Sequence, residues 1–391
     1  RLRSRGLGDV YKRQSLENAL GTVFTQTTKI QFGDVTFERI VEALRIVFFP
    51  GKIATEESVY RNLFENSLGY NNLIYLATIL AEFEGLKDNY SSPRILLIEE
   101  LEAHLHPQIQ IKVLKYLKEQ AEKNDIQIII TTHSTTIVSA TPIENIISFN
   151  MTKSGIKITS LRKCIKNEQV KQFINRWMDT TRSTLLFSKG NILVEGLAEA
   201  LLIPKLAEIY LGKLNLDNVP KSLEEAGISV INMHGIFFQY FMKIYDGYEL
   251  IYPKKNNDES KEAYKERIDL FRKKDKFEED EYEKTDFVPI LCVAITDNDP
   301  EEEAPQKNGI VEGKNPQLFL KEQVKNMTES CRIYTNVKTF EYDLALEKDN
   351  AKKMIEIILD VLPTNGKIRD RLKGYLEAYQ NNENAVSYTH L

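Results

Sequence analysis

Six carboxylate side chains in the second half of the chain stand in three short clusters. The acids are Glu195, Glu199, Asp297, Asp299, Glu341 and Asp343. In an extended segment residues i and i+2 project to the same side, so Asp297 would point with Asp299, and Glu341 with Asp343. Crowded carboxylates repel one another unless a divalent cation neutralises them. Most of the 57 acidic residues must be solvated, so each cluster alone is weak evidence, but their order predicts a site for two Mg²⁺ or Mn²⁺ ions.

A second set of chemical groups lies in the first half. The apolar run Ile95 to Ile98 ends in Glu99 and Glu100, and His133 follows the apolar run Ile126 to Ile130. Carboxylates at the carboxyl end of a buried parallel strand sit where ligands bind in open α/β sheets. One acid could hold Mg²⁺ while its neighbour orients a water for phosphoryl transfer. A strand that ends in solvated glutamates would give the same pattern.

The elements that must position these residues alternate between strand and helix. Leu73, Leu76, Ala77 and Leu80 predict an amphipathic helix over residues 71–83, and Pro107 suits the first position of a second helix. Short apolar runs at 95–98 and 126–130 predict strands that are buried on both faces. In the second half, strands are predicted at 191–194, 228–231 and 288–295, and a helix at 198–211 that Pro204 interrupts. The fold class is therefore α/β.

The amino-acid composition narrows the class of protein but does not identify a function. A formal net charge of −5 gives no basic excess, so DNA binding would need a local basic patch or bound metal ions. The three cysteines form no CxxC pair, which predicts neither a zinc site nor a disulfide framework and fits a reducing cytoplasm. The apolar runs are too short to cross a membrane.

The first-half motifs resemble the nucleotide-binding motifs of ABC-type ATPases, particularly of the SMC, RecF and OLD branch. The stretch from Glu99 to Pro107 is similar to a Walker B motif followed by a D-loop, and residues 66–72 are similar to a degenerate ABC signature. The resemblance implies roles for five residues: Glu99 binds magnesium, Glu100 is the catalytic glutamate, His133 senses the γ-phosphate, and Ser67 and Gly69 contact ATP on a partner subunit. His104 and His106 are too close in sequence to predict two zinc ligands on one helix face and are interpreted as D-loop structure.

The second-half clusters resemble the Toprim fold, and the whole set resembles the OLD (overcoming lysogenization defect) family. That family includes the nuclease subunit of Gabija-type anti-phage defence systems. The resemblance implies an ABC-type ATPase lobe followed by a Toprim domain that cuts DNA with two metal ions. It further implies a homo-oligomer, a dimer or higher, in the intact protein, with a helicase-like or effector protein as a further partner. Ala198 replaces a common threonine. A lysine expected after the last strand has only Lys367 and Lys373 as candidates.

The predicted domain boundaries follow from these motifs. A partial ATPase lobe that lacks the Walker A motif is expected at 15–157, a connector at 158–188, and a Toprim domain at 189–385 with a charged helical insertion at 254–286. The terminal stretches 1–14 and 386–391 resemble translated adapter sequence and are left out of the fold prediction. The aromatic run from Phe237 to Tyr245 has helical spacing, which favours core packing over nucleic-acid stacking, and Trp177 is predicted to pack at the domain junction.

Three functions compete on this evidence. The leading hypothesis is a metal-dependent DNA endonuclease or nickase whose activity an ATPase dimer gates. The second is an ATP-switched sensor that binds DNA or a partner without cutting. The third, primase or topoisomerase chemistry on the same scaffold, lacks an identifiable template-binding or catalytic-tyrosine domain.

The sequence predicts weak nucleotide binding by this 391-residue chain. It contains no GxxxxGK[ST] motif, the loop whose backbone amides cradle the β- and γ-phosphates. Isothermal titration calorimetry with ATP and Mg²⁺ should therefore detect no tight complex. A dissociation constant in the micromolar range would contradict this expectation.

Overall fold

The computed structural model of the chain describes residues 27–31, 45–49, 61–85, 93–214, 218–299, 315, 317–363 and 365–380. The chain divides into two compact units, Arg1–Thr141 and Pro142–Leu391. This division falls sixteen residues before the end of the ATPase lobe predicted from the sequence.

Within the residues that the structure describes, the first unit contains two small sheets and three α-helices. Its strands are β1 (Thr27–Gln31), β2 (Arg45–Phe49), β3 (Arg61–Asn62), β4 (Arg94–Ile98) and β5 (Ile126–Ile130). Its helices are α1 (Leu68–Gly85), α2 (Pro107–Asn124) and α3 (Thr135–Ser139). Strands β1, β2 and β3 pair antiparallel, whereas β4 and β5 pair parallel and are connected through α2. The predicted strand–helix–strand crossover is confirmed.

Local chemistry explains the bounds of α2. Pro107 occupies the first turn, where its missing N–H is not needed, and His106 before it has extended backbone. At the other end, Asp125 adopts a left-handed conformation with φ of 51°, and its N–H bonds the carbonyl of Ala121. The buried face, which includes Val113 and Leu117, packs in the core with residues of α1 and β4.

The prediction that β4 and β5 are buried on both faces is wrong for the described residues. Leu96 is buried, but its neighbours Ile95 and Leu97 are exposed, and so is Ile129 on β5. Adjacent strand residues point to opposite faces, and among the described elements helices cover only one face of this two-stranded sheet.

The second unit is built around a four-stranded parallel sheet. The strands of the unit are β6 (Ile147–Thr152), β7 (Gly155–Ser160), β8 (Gly190–Val194), β9 (Ile228–Asn232), β10 (Tyr248–Leu250), β11 (Tyr282–Lys284), β12 (Leu291–Thr296) and β13 (Cys331–Thr335). The main sheet has the order β13-β12-β8-β9 with every pair parallel. Strands β6 with β7, and β10 with β11, form separate antiparallel pairs.

Helices connect and flank these strands. They are α4 (Leu161–Cys164), α5 (Glu168–Trp177), α6 (Leu197–Leu214), α7 (Phe238–Met242), α8 (Lys261–Arg272), α9 (Leu320–Met327), α10 (Phe340–Leu346), α11 (Asn350–Val361) and α12 (Lys367–Gln380). Helix α6 runs continuously through Pro204, and α8 supplies the helix expected within the charged stretch 254–286. Among the helices in the described ranges, none is long and apolar enough to span a bilayer.

The core of the second unit holds polar groups that are paired with one another. Tyr245, fully buried, donates its hydroxyl hydrogen bond to the carbonyl of Leu185 at 2.8 Å, and Asn191 donates to the same carbonyl at 3.0 Å. Phe238 and Phe241 are buried beside them, so core packing is confirmed for this part of the aromatic run. All three cysteines are buried and free, and burial raises the pKa of the Cys164 thiol to about 12.

A buried ion pair fixes the turn between α7 and β10. The Lys243 ammonium lies 2.6 Å from the Asp246 carboxylate, and it also donates to the carbonyl of Tyr248 at 3.1 Å. The Asp246 side chain is only 3% exposed. Burial alone would lower the pKa of Lys243, but the charge and hydrogen bond of Asp246, together with the charges of Tyr248 and Glu249, outweigh burial and raise that pKa above its ordinary value.

Breaking this pair should destabilise the protein strongly. Asp246→Ala leaves the Lys243 ammonium without its counter-ion in a buried site, which costs about 3–5 kcal/mol in comparable pairs. Urea unfolding followed by circular dichroism measures the loss. The double variant Lys243→Met/Asp246→Leu removes both charges and should recover much of the stability. A double variant as unstable as the single one would contradict this account.

Candidate active site of the Toprim-like sheet

Parallel register brings two of the predicted acids to one edge of the main sheet. Strands β8 and β12 pair with Val194 opposite Ile295, so Glu195 and Asp297 both follow the carboxyl ends of adjacent strands. We call this edge of the main sheet the carboxyl edge. It is the location where ligands bind in open parallel sheets.

The Glu195 carboxylate is held by the neighbouring strand. Its Oε1 accepts a short hydrogen bond from the Thr296 hydroxyl, and weaker ones from the Asp297 N–H at 3.4 Å and the Asn315 amide at 3.5 Å. Asn315 is buried and also donates to the Thr296 hydroxyl oxygen at 2.7 Å and to the Asp297 carbonyl at 2.8 Å. One asparagine therefore ties the Glu195 carboxylate to the end of β12.

The Asp297 carboxylate is held from the other side. Its Oδ1 accepts from the Asn336 amide at 2.7 Å and from the N–H of Phe340, the first residue of α10, at 3.0 Å. Within the described residues, no hydrogen bond reaches Glu195 Oε2 or Asp297 Oδ2. Each acid thus has one oxygen committed to the protein and one available to a ligand.

Burial and mutual repulsion disfavour the ionised state of both acids. Burial raises the pKa of Glu195 above its ordinary 4.5, the Thr296 hydroxyl partly offsets this, and the Asp297 charge adds to the rise. Burial likewise raises the pKa of Asp297 above 3.8, against the Asn336 hydrogen bond, and the Glu199 charge contributes. Asp299 acts on both carboxyls, so four of the six predicted acids interact.

Gly196 allows Glu199 to approach this cluster. A Cβ at position 196 would lie 2.8 Å from a carboxylate oxygen of Glu199, closer than such contacts occur. Glu199 is itself buried on the first turn of α6. A side chain at position 196 would therefore require the end of the Glu199 side chain to shift.

The predicted pairing of Glu341 with Asp343 is wrong. Both residues lie on α10 rather than on an extended segment, and residues two apart on a helix point about 200° away from each other. Glu341 is exposed, and the Asp343 carboxylate instead accepts from the N–H of Val337 at 2.9 Å. Neither is among the main charges acting on Glu195 or Asp297.

The chemistry of these carboxylates suits a hard divalent cation, which takes oxygen ligands and would relieve their repulsion. In the described ranges, however, no group of three or more His, Cys, Asp or Glu side chains is close enough together to hold an ion as it stands. The four interacting acids therefore do not form a complete set of metal ligands in this arrangement. Their assignment as metal ligands stays a prediction.

The sequence reading missed the residues that orient the acids. These are Thr296, Asn315 and Asn336, which donate hydrogen bonds to Glu195 or Asp297. Thr296 stood inside a recognised cluster, but Asn315 carried no signal because it follows the long segment 300–314. The lysine candidates Lys367 and Lys373 lie on α12, which packs against α11 in a small separate core.

In the first unit, the predicted ATPase residues gather at the ends of β4 and β5. Glu99 and Glu100 follow β4, His133 follows β5, and all three are exposed. Glu102, which was given no role from sequence, accepts from the Thr132 hydroxyl at 2.7 Å and from the His133 N–H at 2.5 Å. This carboxylate therefore fixes the backbone that carries His133 relative to the segment after Glu100.

The predicted signature segment packs on the predicted D-loop. Ser67 precedes α1, and its hydroxyl accepts weakly from the N–H of Tyr70 at 3.4 Å. A Cβ at Gly69 would overlap the carbonyl of His104, so only glycine permits this close approach. Ser67, His104 and His106 line a shared pocket of about 360 Å³. The two histidines thus line a pocket beside the predicted signature segment, and their assignment to a D-loop stays a prediction.

Comparison with known protein families matches both halves. Residues 13–138 match the AAA ATPase domain, and residues 186–252 match the Toprim domain of proteins like the overcoming lysogenization defect protein. The chain therefore joins an ATPase domain to a Toprim domain. The expected OLD-type ATPase–Toprim organisation is confirmed at the level of these two domains.

Curated relatives share parts of this organisation. The chain is 29% identical over 221 residues to Endonuclease GajA of Bacillus cereus (strain HuB5-5), covering 47% of this chain and 31% of that protein. It is 32% identical over 110 residues to Septu protein PtuA of Bacillus mycoides (strain KBAB4), covering 25% and 15%. It is 29% identical over 128 residues to OLD nuclease of Thermus scotoductus (strain ATCC 700910 / SA-01), covering 32% and 24%. The matches thus span less than a third of each relative.

Solved structures give weaker matches. An SMC head bound to the C-terminal winged-helix domain of ScpA aligns with a TM-score of 0.32 and 16% identity, over 44% of this chain and 46% of that one. The SMC head domain from Thermotoga maritima aligns with a TM-score of 0.27 and 16% identity, over 39% and 46%. These scores are too low to establish a common fold.

The raised pKa of Glu195 predicts a pH-dependent gain in stability for Glu195→Gln. The protonated Glu195 side chain contributes stability that is fully present below its ordinary pKa. This contribution is lost as the pH rises through the raised pKa of the folded state, because the buried acid then ionises. In EDTA, the glutamine variant should therefore melt at a higher temperature than the parent at about pH 7, and the difference should vanish near pH 4. Differential scanning calorimetry measures this, with exposed Glu279→Gln as control. An equal difference at both pH values would contradict the assigned cause.

Proposed function

We propose that the chain is the ATPase–Toprim part of a DNA endonuclease that depends on Mg²⁺ or Mn²⁺ and nicks or cuts DNA under the control of ATP. The observation that carries this proposal is the meeting of Glu195 and Asp297 at the carboxyl edge, with Glu199 and Asp299 close enough to act on their pKa values. A strand end that is merely solvated does not require four carboxylates to lie this close together.

The protein groups in this proposal orient the acids and keep them ionisable. Thr296 and Asn315 hold one oxygen of Glu195, while Asn336 and the Phe340 N–H hold one oxygen of Asp297. The negative charges of Glu199 and Asp299 disfavour ionisation of Glu195 and Asp297 as long as no cation is bound, and a bound cation would relieve this repulsion. Bound divalent cations would supply a water of lowered pKa for attack on the phosphodiester and would stabilise the departing oxyanion.

The first unit would couple this chemistry to ATP. In this proposal Glu99 holds magnesium, Glu100 orients the attacking water, and His133 contacts the γ-phosphate. The Glu102 hydrogen bonds to Thr132 and His133 support the last role, because they fix the backbone at the end of β5. Ser67 and Gly69 would contact ATP held by a second subunit, which makes a dimer the active form.

The names of two relatives, Endonuclease GajA and OLD nuclease, support cleavage of nucleic acid as the reaction. With the resemblance to the OLD family, they support a role in anti-phage defence or DNA processing. A helicase-like or effector partner belongs to the same proposal.

One observation favours a second function, an ATP-switched sensor with a Toprim domain that does not cut. The described side chains form no group of three acids or histidines ready to hold an ion. A sensor would bind DNA or a partner through the same carboxyl edge without turnover.

Plasmid nicking tests the nuclease proposal. Supercoiled DNA should be relaxed in Mn²⁺ or Mg²⁺ but not in EDTA. Glu195→Gln or Asp297→Asn, each of which removes a ligand charge while keeping the side-chain volume, should lower the rate by roughly 100-fold or more, about 3 kcal/mol of transition-state stabilisation. Agarose gel electrophoresis measures the rate.

Two controls sharpen this experiment. Glu279→Gln changes an exposed acid of the charged insertion and should nick like the parent. Glu341→Gln should also nick nearly like the parent, because Glu341 is exposed on α10 and is not a main charge acting on the acid cluster. Full activity of the Glu195 and Asp297 variants would refute the nuclease proposal. Calorimetric Mn²⁺ binding by a parent that never cuts would favour the sensor.

A further inference from the structure

Four aromatic side chains of the second unit form a continuous group next to the carboxyl edge. Phe173 on α5 contacts Trp177, Phe237 and Tyr240, with ring centroids 6.1, 5.7 and 4.2 Å away respectively. We call these four residues the aromatic ladder. Trp177 and Phe237 are each 46% exposed, so the group presents about half of two ring surfaces to solvent. The prediction of core packing holds for Phe238 and Phe241 but not for Phe237.

The loop that leads to Phe237 of the aromatic ladder is hydrogen-bonded to the backbone of Glu195. The N–H of Gly235 donates to the Glu195 carbonyl at 2.9 Å, and the N–H of Met233 donates to the Val194 carbonyl at 2.8 Å. Phe237 stands two residues beyond Gly235. The loop that presents its ring therefore lies against the same strand end that carries the Glu195 carboxylate.

A buried arginine holds the two parts of the ladder in place. The Arg182 guanidinium donates to the carbonyl of Trp177 at 3.1 Å and to the carbonyl of Met233 at 3.4 Å, and it pairs with Asp179 at 2.5 Å. Its side chain is only 8% exposed. Since one rigid cation bonds the end of α5 and the loop after β9, the spacing between Trp177 and Phe237 is built into the fold.

The composition of this surface indicates its ligand. Nucleobases stack on aromatic rings whatever their identity, and proteins that hold single strands combine such rings with cations for the backbone. Arg176, next to Trp177, is exposed and makes no ion pair within the described residues. In contrast, the exposed face of β6 and β7 is mostly aliphatic, and no feature of that face selects an occupant.

We propose that the aromatic ladder stacks unpaired nucleobases of the DNA strand whose phosphate reaches the acid cluster at Glu195. This inference rests on the proposed nuclease function and adds a preference for single-stranded or locally opened DNA. Bases within an intact duplex have their faces covered by neighbouring pairs, so they cannot stack on these rings without being unstacked first.

Fluorescence of Trp177 tests the proposal without any cleavage, because Trp177 is the single tryptophan of the chain. Oligothymidylate of about 16 nucleotides is titrated into the full chain in EDTA. The single strand should quench Trp177, and a duplex of the same length should bind more weakly. Phe237→Ala should weaken single-strand binding by roughly 5- to 140-fold, the range expected for one lost base stack.

Matched variants locate the effect. Phe237→Leu keeps an apolar side chain and so preserves packing while losing the stacking ring, and it should weaken binding in the same direction. Tyr210→Ala removes a more exposed aromatic ring on α6, roughly 20 Å along the helix from its first residue, and should bind like the parent. Equal affinity of the Phe237 variants and the parent overturns the proposal, as does an equal loss in Tyr210→Ala.

Comparison with nicking separates this proposal from the nuclease proposal. Glu195→Gln should quench at least as strongly as the parent, because it removes a negative charge near the strand, although it should not nick. A parent that nicks plasmid but shows no quenching by single-stranded DNA overturns the stacking inference alone. A parent that is quenched but never nicks supports the stacking inference and contradicts the nuclease proposal.

Discussion

The parallel register of β8 against β12 forces negative charge together at one edge of the second unit. Because Val194 lies opposite Ile295, the next residues along both strands emerge side by side, and Glu195 meets Thr296 and Asp297. The hydrogen bonds that Thr296, Asn315 and Asn336 give to the two carboxylates offset part of the repulsion. Burial nevertheless raises both pKa values, so the protein retains an unfavourable charge arrangement that a cation would relieve.

Both units use the same device to place a functional group. In each, the end of one parallel strand is tied to the end of its neighbour by a carboxylate: Glu195 accepts from Thr296, and Glu102 accepts from Thr132 and His133. Glycine then allows close approach where side chains must meet. Gly69 leaves room for the backbone carbonyl of His104, and Gly196 lies against the carboxylate of Glu199. The residue types that follow these strands are therefore set by the space and the charges at the strand ends.

If the chain acts on DNA, as we propose, its net charge of −5 must be offset by local features that attract the polyanion. The acid cluster becomes acceptable to phosphate only when cations neutralise it, and stacking on Trp177 and Phe237 depends little on net charge. Arg182 couples these features mechanically, since it bonds the carbonyls at the end of α5 and after β9. Its burial beside Asp179 makes the arrangement rigid, in the same way that the Lys243–Asp246 pair fixes the turn before β10.

The sequence by itself determined the elements and the strand ends. Pro107 as the start of a helix, the α/β alternation and the acids after β8 and β12 are local properties, because periodicity and turn chemistry act over a few residues. It could not determine which acids meet. Glu341 and Asp343 have the spacing of an extended pair but lie on a helix, whose first N–H bonds Asp297 across 43 residues. Asn315 and Arg182 gain their roles only through long-range packing, and the exposure of Phe237, which precedes α7, depends on how the loop after β9 packs on the core. Those outcomes depend on contacts between distant segments, which no local pattern encodes.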